Sequence, residues 1–450
     1  MIFTRHIMSY VAPVTMLCLL LSPGLGCDGQ NSPDESIVLP TEWITDQAKT
    51  PMNLHLTWQD DPTSSIVIQW RTEFKDTAMY EPKVWFAKDD PDFVDKTNTS
   101  PQLVVFSSDR VSKGAGSIYH DSLTNDTGEE FVNWHVELSG LEPDTTYYYR
   151  AGTWDGFDDD TRTFQGVNLS GCYSFTAAPA ADEKAKYRFV AAGDSRGGYE
   201  GIANNIDRFH DIGADFWLFS GDMTDMGIQS QWDLWFDAME PLLVDTVLMP
   251  VIGNHEIFER VYFEQFALPR EEGLEDGMDE YAWSFDYTNT HFVGLNSNSE
   301  KIIKAQVDWL DSDLAKARSN PRIEWVVVIF HHAAYSSSHH GSTETVQQNW
   351  VPVFDKYDVD IVFNGHDHDY ERTFPIRNGQ VAEDGHGVVY VVAGGFFSPP
   401  YSAGSNWWTA VSHDGDVGNY VVVDVDDKTM AVKAFSTDGQ QTLDEFTLSK

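Results

Sequence analysis

Five short apolar runs in this chain each end in a turn crowded with Asp, Asn or His. That repetition constrains the fold more than any other feature. Tyr187-Arg188-Phe189-Val190-Ala191-Ala192 runs into Gly193-Asp194, Phe216-Trp217-Leu218-Phe219 into Gly221-Asp222, and Val247-Leu248-Met249-Pro250-Val251-Ile252 into Gly253-Asn254-His255-Glu256. Trp325-Val326-Val327-Val328-Ile329-Phe330 leads to His331-His332, and Val359-Asp360-Ile361-Val362-Phe363 to Gly365-His366-Asp367-His368. Short apolar runs bounded by turn residues predict buried strands. The segments between them show helical spacing: Gln231 to Phe236, and Ala305 to Arg318, where Val307, Leu310, Leu314 and Ala317 share one face. Strands alternating with helices predict an α/β domain. Such sheets bind ligands beyond the carboxyl ends of their strands, so the five turns predict one site along one sheet edge. Val388 to Val392 and Tyr420 to Val425 read as closing strands.

The side chains at that edge indicate the chemistry. His366 and His368, one residue apart at the mouth of a buried strand, suit metal ions better than a packed core. Carboxylates neutralise dications, imidazoles suit zinc, iron or manganese, and a neutral amide such as Asn254 leaves an ion more electrophilic. The formal charge of -42, from 29 Lys+Arg against 71 Asp+Glu, excludes nonspecific nucleic-acid binding, because the mean field repels a polyanion. With 41% hydrophobic and 13% aromatic residues in 450, the chain can build large cores in two or three domains.

The first 27 residues read as an export leader. Arg5 and His6 precede the apolar run Val14 to Leu21, which is too short to span a bilayer. Leu25-Gly26-Cys27 resembles the end of a bacterial lipobox, with Gly24 as a departure, so two expectations stand. One is a lipidated Cys27 and membrane attachment; the other is an ordinary cleaved leader and a secreted or periplasmic protein. Residues 28–50 form an acidic tether. Removing the leader leaves Cys27 and Cys172, and Cys172 reads as a half-buried hydrophobe before a strand. From 51 to 178 the signals are strands: Leu54 to Trp58, Ile66 to Trp70, Asn133 to Leu138 and Thr146 to Ala151, punctuated by turns at sandwich spacing. Leu141-Glu142-Pro143-Asp144-Thr145-Thr146-Tyr147 resembles the tyrosine corner of fibronectin type III domains. Ala177 to Asp182 reads as the linker, and a second domain follows over 185–450.

Taken in order, GD, GD, GNHE, H and GHxH resemble the metallophosphoesterase (calcineurin-like) superfamily. The β-sandwich in front and Gly365 to Arg372, which reads GHDHDYER, narrow the resemblance to purple acid phosphatase-like enzymes. It covers the chain from about Pro51 to its end. It implies an α/β fold, a metallophosphoesterase-type β-sandwich flanked by helices behind an all-β fibronectin III-like domain. It also implies two metal ions per chain, of iron, zinc or manganese. Asp222 then bridges the ions, Asp194 and His368 hold the first, and Asn254, His331 and His366 hold the second. Paired ions clamp a phosphate and bring a shared water towards a pKa of ~7, giving a bridging hydroxide that attacks phosphorus. His255 resembles the histidine that contacts the phosphate or protonates the leaving group. His339 and His340 lie near the spacing of a second histidine pair, one of which is a candidate general acid. His332 is placed at the rim or behind the ligands rather than among them, and Glu256 and Glu371 as orienters of ligand histidines.

Two positions depart from the family pattern. Purple enzymes carry a tyrosine three residues after the bridging aspartate, and here Asp225 stands there, as a further candidate ligand of the first ion. Many superfamily members carry a histidine two residues after the first aspartate, and here it is Arg196, placed as a phosphate clamp. The resulting expectation is a colourless, exported enzyme that hydrolyses phosphate monoesters of small molecules. The alternatives are a phosphodiesterase on the same core, or a surface-binding module with an inactive phosphatase domain.

Overall fold

The computed structural model describes residues 51–73, 81–88, 115–119, 131–158, 163–180, 186–257, 259–275, 277–383 and 385–450. The leader, Cys27 and the tether over 28–50 lie outside them. Among the described residues no helix is long and apolar enough to cross a membrane.

Two large sheets carry the chain. The first has seven strands in the order Ala282–Tyr287, Thr290–Leu295, Trp325–His332, Ile361–Gly365, Val389–Ala393, Tyr370–Thr373 and Thr409–His413. The second has ten: Thr442–Ser449, Thr429–Phe435, Tyr420–Asp426, Tyr187–Ala192, Phe216–Phe219, Val247–Pro250, Met52–Thr57, Ser65–Glu73, Phe131–Ser139 and Ala115–Tyr119. The apolar runs that end in ligand-rich turns all form strands. Tyr187–Ala192, Phe216–Phe219 and Val247–Pro250 pair in parallel in one sheet, and Trp325–His332 with Ile361–Gly365 in the other. Their residues are almost all buried, as parallel strands covered on both faces require.

Aromatic side chains fill the space between the sheets. Phe216 lies 5.6 Å from Phe189 and 5.2 Å from Phe292, and Trp58 of the amino-terminal segment lies 5.4 Å from Phe216. The ten-stranded sheet also crosses the chain's linker: Met52–Thr57 pairs in parallel with Val247–Pro250 through Leu56 and Val247. The remaining amino-terminal strands Glu81–Lys88, Thr146–Asp158, Thr163–Leu169 and Tyr173–Thr176 form a separate four-stranded sheet. The tyrosine corner is present, with the Glu142 N–H donating to the Tyr147 hydroxyl at 2.8 Å. Cys172 is a free, half-buried thiol just before the strand Tyr173–Thr176.

Helix Gln229–Leu243 covers the first predicted helix. The second forms as Val307–Ser319, and a further helix, Glu300–Ala305, meets its start across a break at Gln306. The buried Gln306 amide explains the break. It accepts from Asn296 N at 3.0 Å and donates to Asn296 O at 2.7 Å, anchoring the helix junction to the strand end. The buried face of Val307–Ser319 includes Leu310, Leu314 and Ala317 as expected, and also Asp313, whose partner is His291.

His291 is buried with Nδ1 2.7 Å from Asp286 and Nε2 2.8 Å from Asp313. Burial works against its proton, but the hydrogen bonds to Asp286 and Asp313 outweigh it and hold the pKa at about 9, above the ordinary 6.5. A folded value above the unfolded one stabilises fully below about pH 6.5, and that contribution is lost as pH rises through about 9. His291→Gln should therefore cost roughly 2–4 kcal/mol at about pH 6 and much less at about pH 10. Denaturant titrations of both proteins across that range check this; a penalty that grows with pH would contradict it.

Candidate metal centre

The carboxyl ends of strands from both sheets converge on one spot, and the backbone there is strained. Asp194 (φ 63°), Asp222 (φ 53°) and His366 (φ 72°) all adopt the left-handed conformation that ordinary side chains avoid. Each costs on the order of 1–3 kcal/mol, and such strain persists where the surroundings impose it, characteristically at functional sites. The glycines before the candidate ligands reflect crowding. A Cβ on Gly253 would lie 2.2 Å from Asp222 Oδ1, and one on Gly365 would lie 2.2 Å from Asp194 Oδ2.

Two sets of ligand atoms result. Those of Asp194, Asp222 and His368 lie within 4.8 Å of one another, and all three residues are buried. His331, His332 and His366 form a second set within the same limit. Asp222 links the two, with Oδ1 3.4 Å from His331 Nε2. Asn254 joins the second set through Oδ1, 2.9 Å from His331 Nε2. The structure thus gathers Asp194, Asp222, Asn254, His331, His366 and His368. It also brings in His332, which sequence reasoning placed at the rim. His332 Nδ1 is held 2.9 Å from Ser297 Oγ, and its ring lies 4.3 Å from that of His366.

These residues fit a pair of cations. His368 Nε2 is buried without a hydrogen-bond partner and sits 3.5 Å from Asp194 Oδ1. His331 Nε2 and His366 Nδ1 face each other at 3.2 Å, two ring nitrogens directed at one point. Burial works against a proton on His331, yet Asp222 and Asp194 outweigh it and raise its pKa to about 9. The carboxylates draw positive charge to this point, a demand that a dication meets more fully. Backbone carbonyls orient the rings: Ser220 O lies 2.8 Å from His331 Nδ1, and Pro399 O lies 2.5 Å from His368 Nδ1. Both rings thereby direct Nε2 inward.

Glu256 and Glu371 do not orient the ligand histidines. Glu256 is buried and accepts from the N–H groups of Asp222, Thr224 and Gly253 and from the Thr224 hydroxyl, so it ties two ligand loops together. Burial and then Asp222 push its carboxyl up to about 7. Glu371 accepts from Ser337 N and Oγ, from Trp408 Nε1 and from the Thr409 hydroxyl, fixing the loop that carries His339 and His340. Both carboxylates face backbone and hydroxyl donors, which leaves the carbonyls to hold the rings. Asp367, which the sequence reading left without a role, supports the same loop by accepting from His340 N at 2.7 Å and Gly341 N at 3.1 Å.

The remaining predicted residues border the cluster. His255 Nδ1 lies 2.8 Å from Asp225 O, and its Nε2 lies 4.0 Å from Asp222 Oδ2. His340 stacks on His366 at 4.0 Å between ring centres, His339 lies 4.9 Å from Tyr401, and both are exposed. Tyr401 stacks in turn on His368 at 4.1 Å with the rings nearly parallel. Asp225 stays outside the Asp194–Asp222–His368 set and faces Arg196, with Oδ1 3.6 Å from the guanidinium. Arg196 Nε is buried, lacks a hydrogen bond and lies 3.8 Å from Asp222 Oδ2.

Fold and site together define the class of calcineurin-like phosphoesterases, whose family model matches residues 187–370. The model of the purple acid phosphatase N-terminal domain matches residues 51–177. Purple acid phosphatase 23 of Arabidopsis thaliana is 27% identical over 390 residues, which is 78% of this chain and 78% of that protein. Purple acid phosphatase 15 of the same plant is 30% identical over 347 residues, 68% of this chain and 60% of that protein. In the solved structures, purple acid phosphatase PPD1 from yellow lupin seeds superimposes with a TM-score of 0.70 at 18% identity, covering 89% of this chain and 74% of that one. The chain belongs to the purple acid phosphatase-like metallophosphoesterases, dinuclear metal-dependent phosphoric ester hydrolases that use two metal ions.

Proposed function

We propose that this protein is an exported phosphatase of small phosphate monoesters. The observation that carries the reading is the shared edge of the two ligand sets, where Asp222 belongs to one and reaches His331 of the other at 3.4 Å. In this reading Asp222 bridges, Asp194 and His368 hold the first ion, and Asn254, His331 and His366 hold the second. When bound, the two ions would clamp a phosphoryl oxygen and acidify a water. The chain's own residues do the rest. His255 presents Nε2 towards Asp222, because Nδ1 is committed to Asp225 O, and it can protonate the departing oxygen. His340, packed on His366, is the second candidate acid; His339 stands further out. Arg196, with an unsatisfied buried Nε, offers N–H donors to phosphate oxygens. The leader reading adds export, with Cys27 as a site of lipid attachment.

Metal-stripped protein, given back manganese, zinc or iron in turn, tests the proposal on 4-nitrophenyl phosphate beside bis(4-nitrophenyl) phosphate. The expected result is metal-dependent turnover that favours the monoester by at least about tenfold. Faster cleavage of the diester would favour the phosphodiesterase, and surface adhesion without hydrolysis would favour the binding module. In the same series Arg196→Ala should raise KM for the monoester about tenfold, and an unchanged KM would remove the clamp. The loaded enzyme should be colourless, since Asp225 stands at the tyrosine position of purple enzymes and faces Arg196.

A further inference from the structure

Among the described residues only five large apolar side chains are strongly exposed, and three of them sit on loops that border the metal centre. Met226 (45% exposed) follows Asp225, Ile257 (58%) lies two residues after His255, and Trp407 (48%) lies on the segment that continues from Tyr401. Met226 and Ile257 belong to neighbouring stretches of chain. His255 Nδ1 is bound to Asp225 O at 2.8 Å, and a Cβ on Gly227 would lie 3.1 Å from Glu256 Cα and 3.5 Å from Ile257 N. The segments 225–227 and 255–257 therefore run side by side, and both adjoin His255, whose Nε2 lies 4.0 Å from Asp222 Oδ2. Single exposed hydrophobic residues need no explanation, but two on neighbouring segments that both adjoin a polar site are candidates for a surface covered when the site is occupied.

From this geometry we infer that Met226 and Ile257 form an apolar ledge for the leaving group, and that the substrate is a phosphate ester of an aromatic or otherwise apolar alcohol. The inference rests on the phosphatase reading and deepens it. In hydrolysis the ester and water give the alcohol and inorganic phosphate: the phosphorus–oxygen bond to the alcohol breaks as one to the water oxygen forms, and the departing oxygen takes up a proton. His255 is the group positioned to deliver that proton, so the alcohol departs beside the residue that the ledge flanks. On the His368 side of the cluster, Tyr401 presents a ring stacked on a ligand histidine. An apolar leaving group thus meets apolar surface where a polyol would meet two side chains unable to hydrogen-bond it.

The test compares 1-naphthyl phosphate with glycerol 3-phosphate on metal-loaded enzyme, parent and the double variant Met226→Ser/Ile257→Ser, with thermal melts to confirm folding. The parent should favour the naphthyl ester in kcat/KM. The double variant should lose about tenfold on it and stay within about twofold on the glycerol ester. Calorimetric binding of 1-naphthylphosphonate and methylphosphonate reads the ledge without turnover. A parent that binds both phosphonates equally, or a variant that keeps the naphthyl preference, overturns the ledge. Tighter naphthylphosphonate binding that the variant loses, with neither ester hydrolysed, keeps the ledge and overturns the monoesterase.

Discussion

Asp222→Asn is expected to reduce turnover by at least ~10³-fold and to lower bound metal from two ions per chain towards one or none, because it removes the carboxylate proposed to serve both ions. The substitution is nearly isosteric. Asp222 Oδ1 accepts from His255 N at 2.9 Å, and an asparagine oxygen can keep that bond. The charge is what disappears, and it is the charge that faces His331 Nε2 at 3.4 Å and Arg196 Nε at 3.8 Å. Metal-free protein should lose stability as well. Burial works against the Asp222 charge, but His331 and then His255 outweigh it and hold that carboxyl well below its ordinary pKa. A folded pKa below the unfolded one means that the charge stabilises the fold at neutral pH, and the asparagine forfeits that contribution. Stripped protein should thus melt below the parent temperature, while the rise in Tm on adding metal shrinks sharply. Metal content by mass spectrometry, turnover and paired melts decide the matter. A variant that retains two ions and most of its turnover would remove Asp222 from the bridging role.

The positions of the candidate ligands were legible in the sequence because each one follows a short apolar strand that is buried on both faces and therefore hard to mistake. The order of Asp, Asn and His turns then identified the edge where they meet. What surrounds the ligands was less legible. Glu256 and Glu371 carry no local signature of their partners, which come from backbone N–H groups and hydroxyls distant in sequence. Apolar periodicity across 305–318 matched the helix Val307–Ser319 but not the short helix Glu300–Ala305 before it, which ends where the Gln306 amide turns inward to Asn296. The strands Tyr370–Thr373 and Thr442–Ser449 were invisible for a related reason. The first buries Glu371 among hydroxyl and indole donors, and the second is a polar edge strand with alternate residues exposed. Arg196 and Asp225 were each flagged as departures from the family pattern. That they face one another became apparent only when the two loops were placed side by side.

Deleting residues 51–178 should leave residues 185–450 unable to fold to a soluble native state, although that segment carries every proposed metal ligand. The reason lies in the continuous ten-stranded sheet. Without Met52–Thr57, the strand Val247–Pro250 becomes a bare edge of buried apolar residues, the kind of edge that pairs with other chains. The core between the sheets also loses Trp58, which packs on Phe216, Phe285 and Tyr287. Polar anchors disappear with it: Ala267 N donates to Gln69 at 2.7 Å, Thr57 donates to Ala267 O at 2.7 Å, and the Tyr149 hydroxyl donates to Val244 O at 2.6 Å. Each such buried group left without its partner costs about 1–3 kcal/mol. Several together approach the 5–15 kcal/mol net stability of a typical folded protein. Near-ultraviolet circular dichroism and dye binding on the truncated protein read the outcome directly. A monomeric segment 185–450 with a cooperative melt within about 5 °C of the full chain would show the amino-terminal strands to be an accessory to the metal centre; their pairing predicts that they are part of its scaffold.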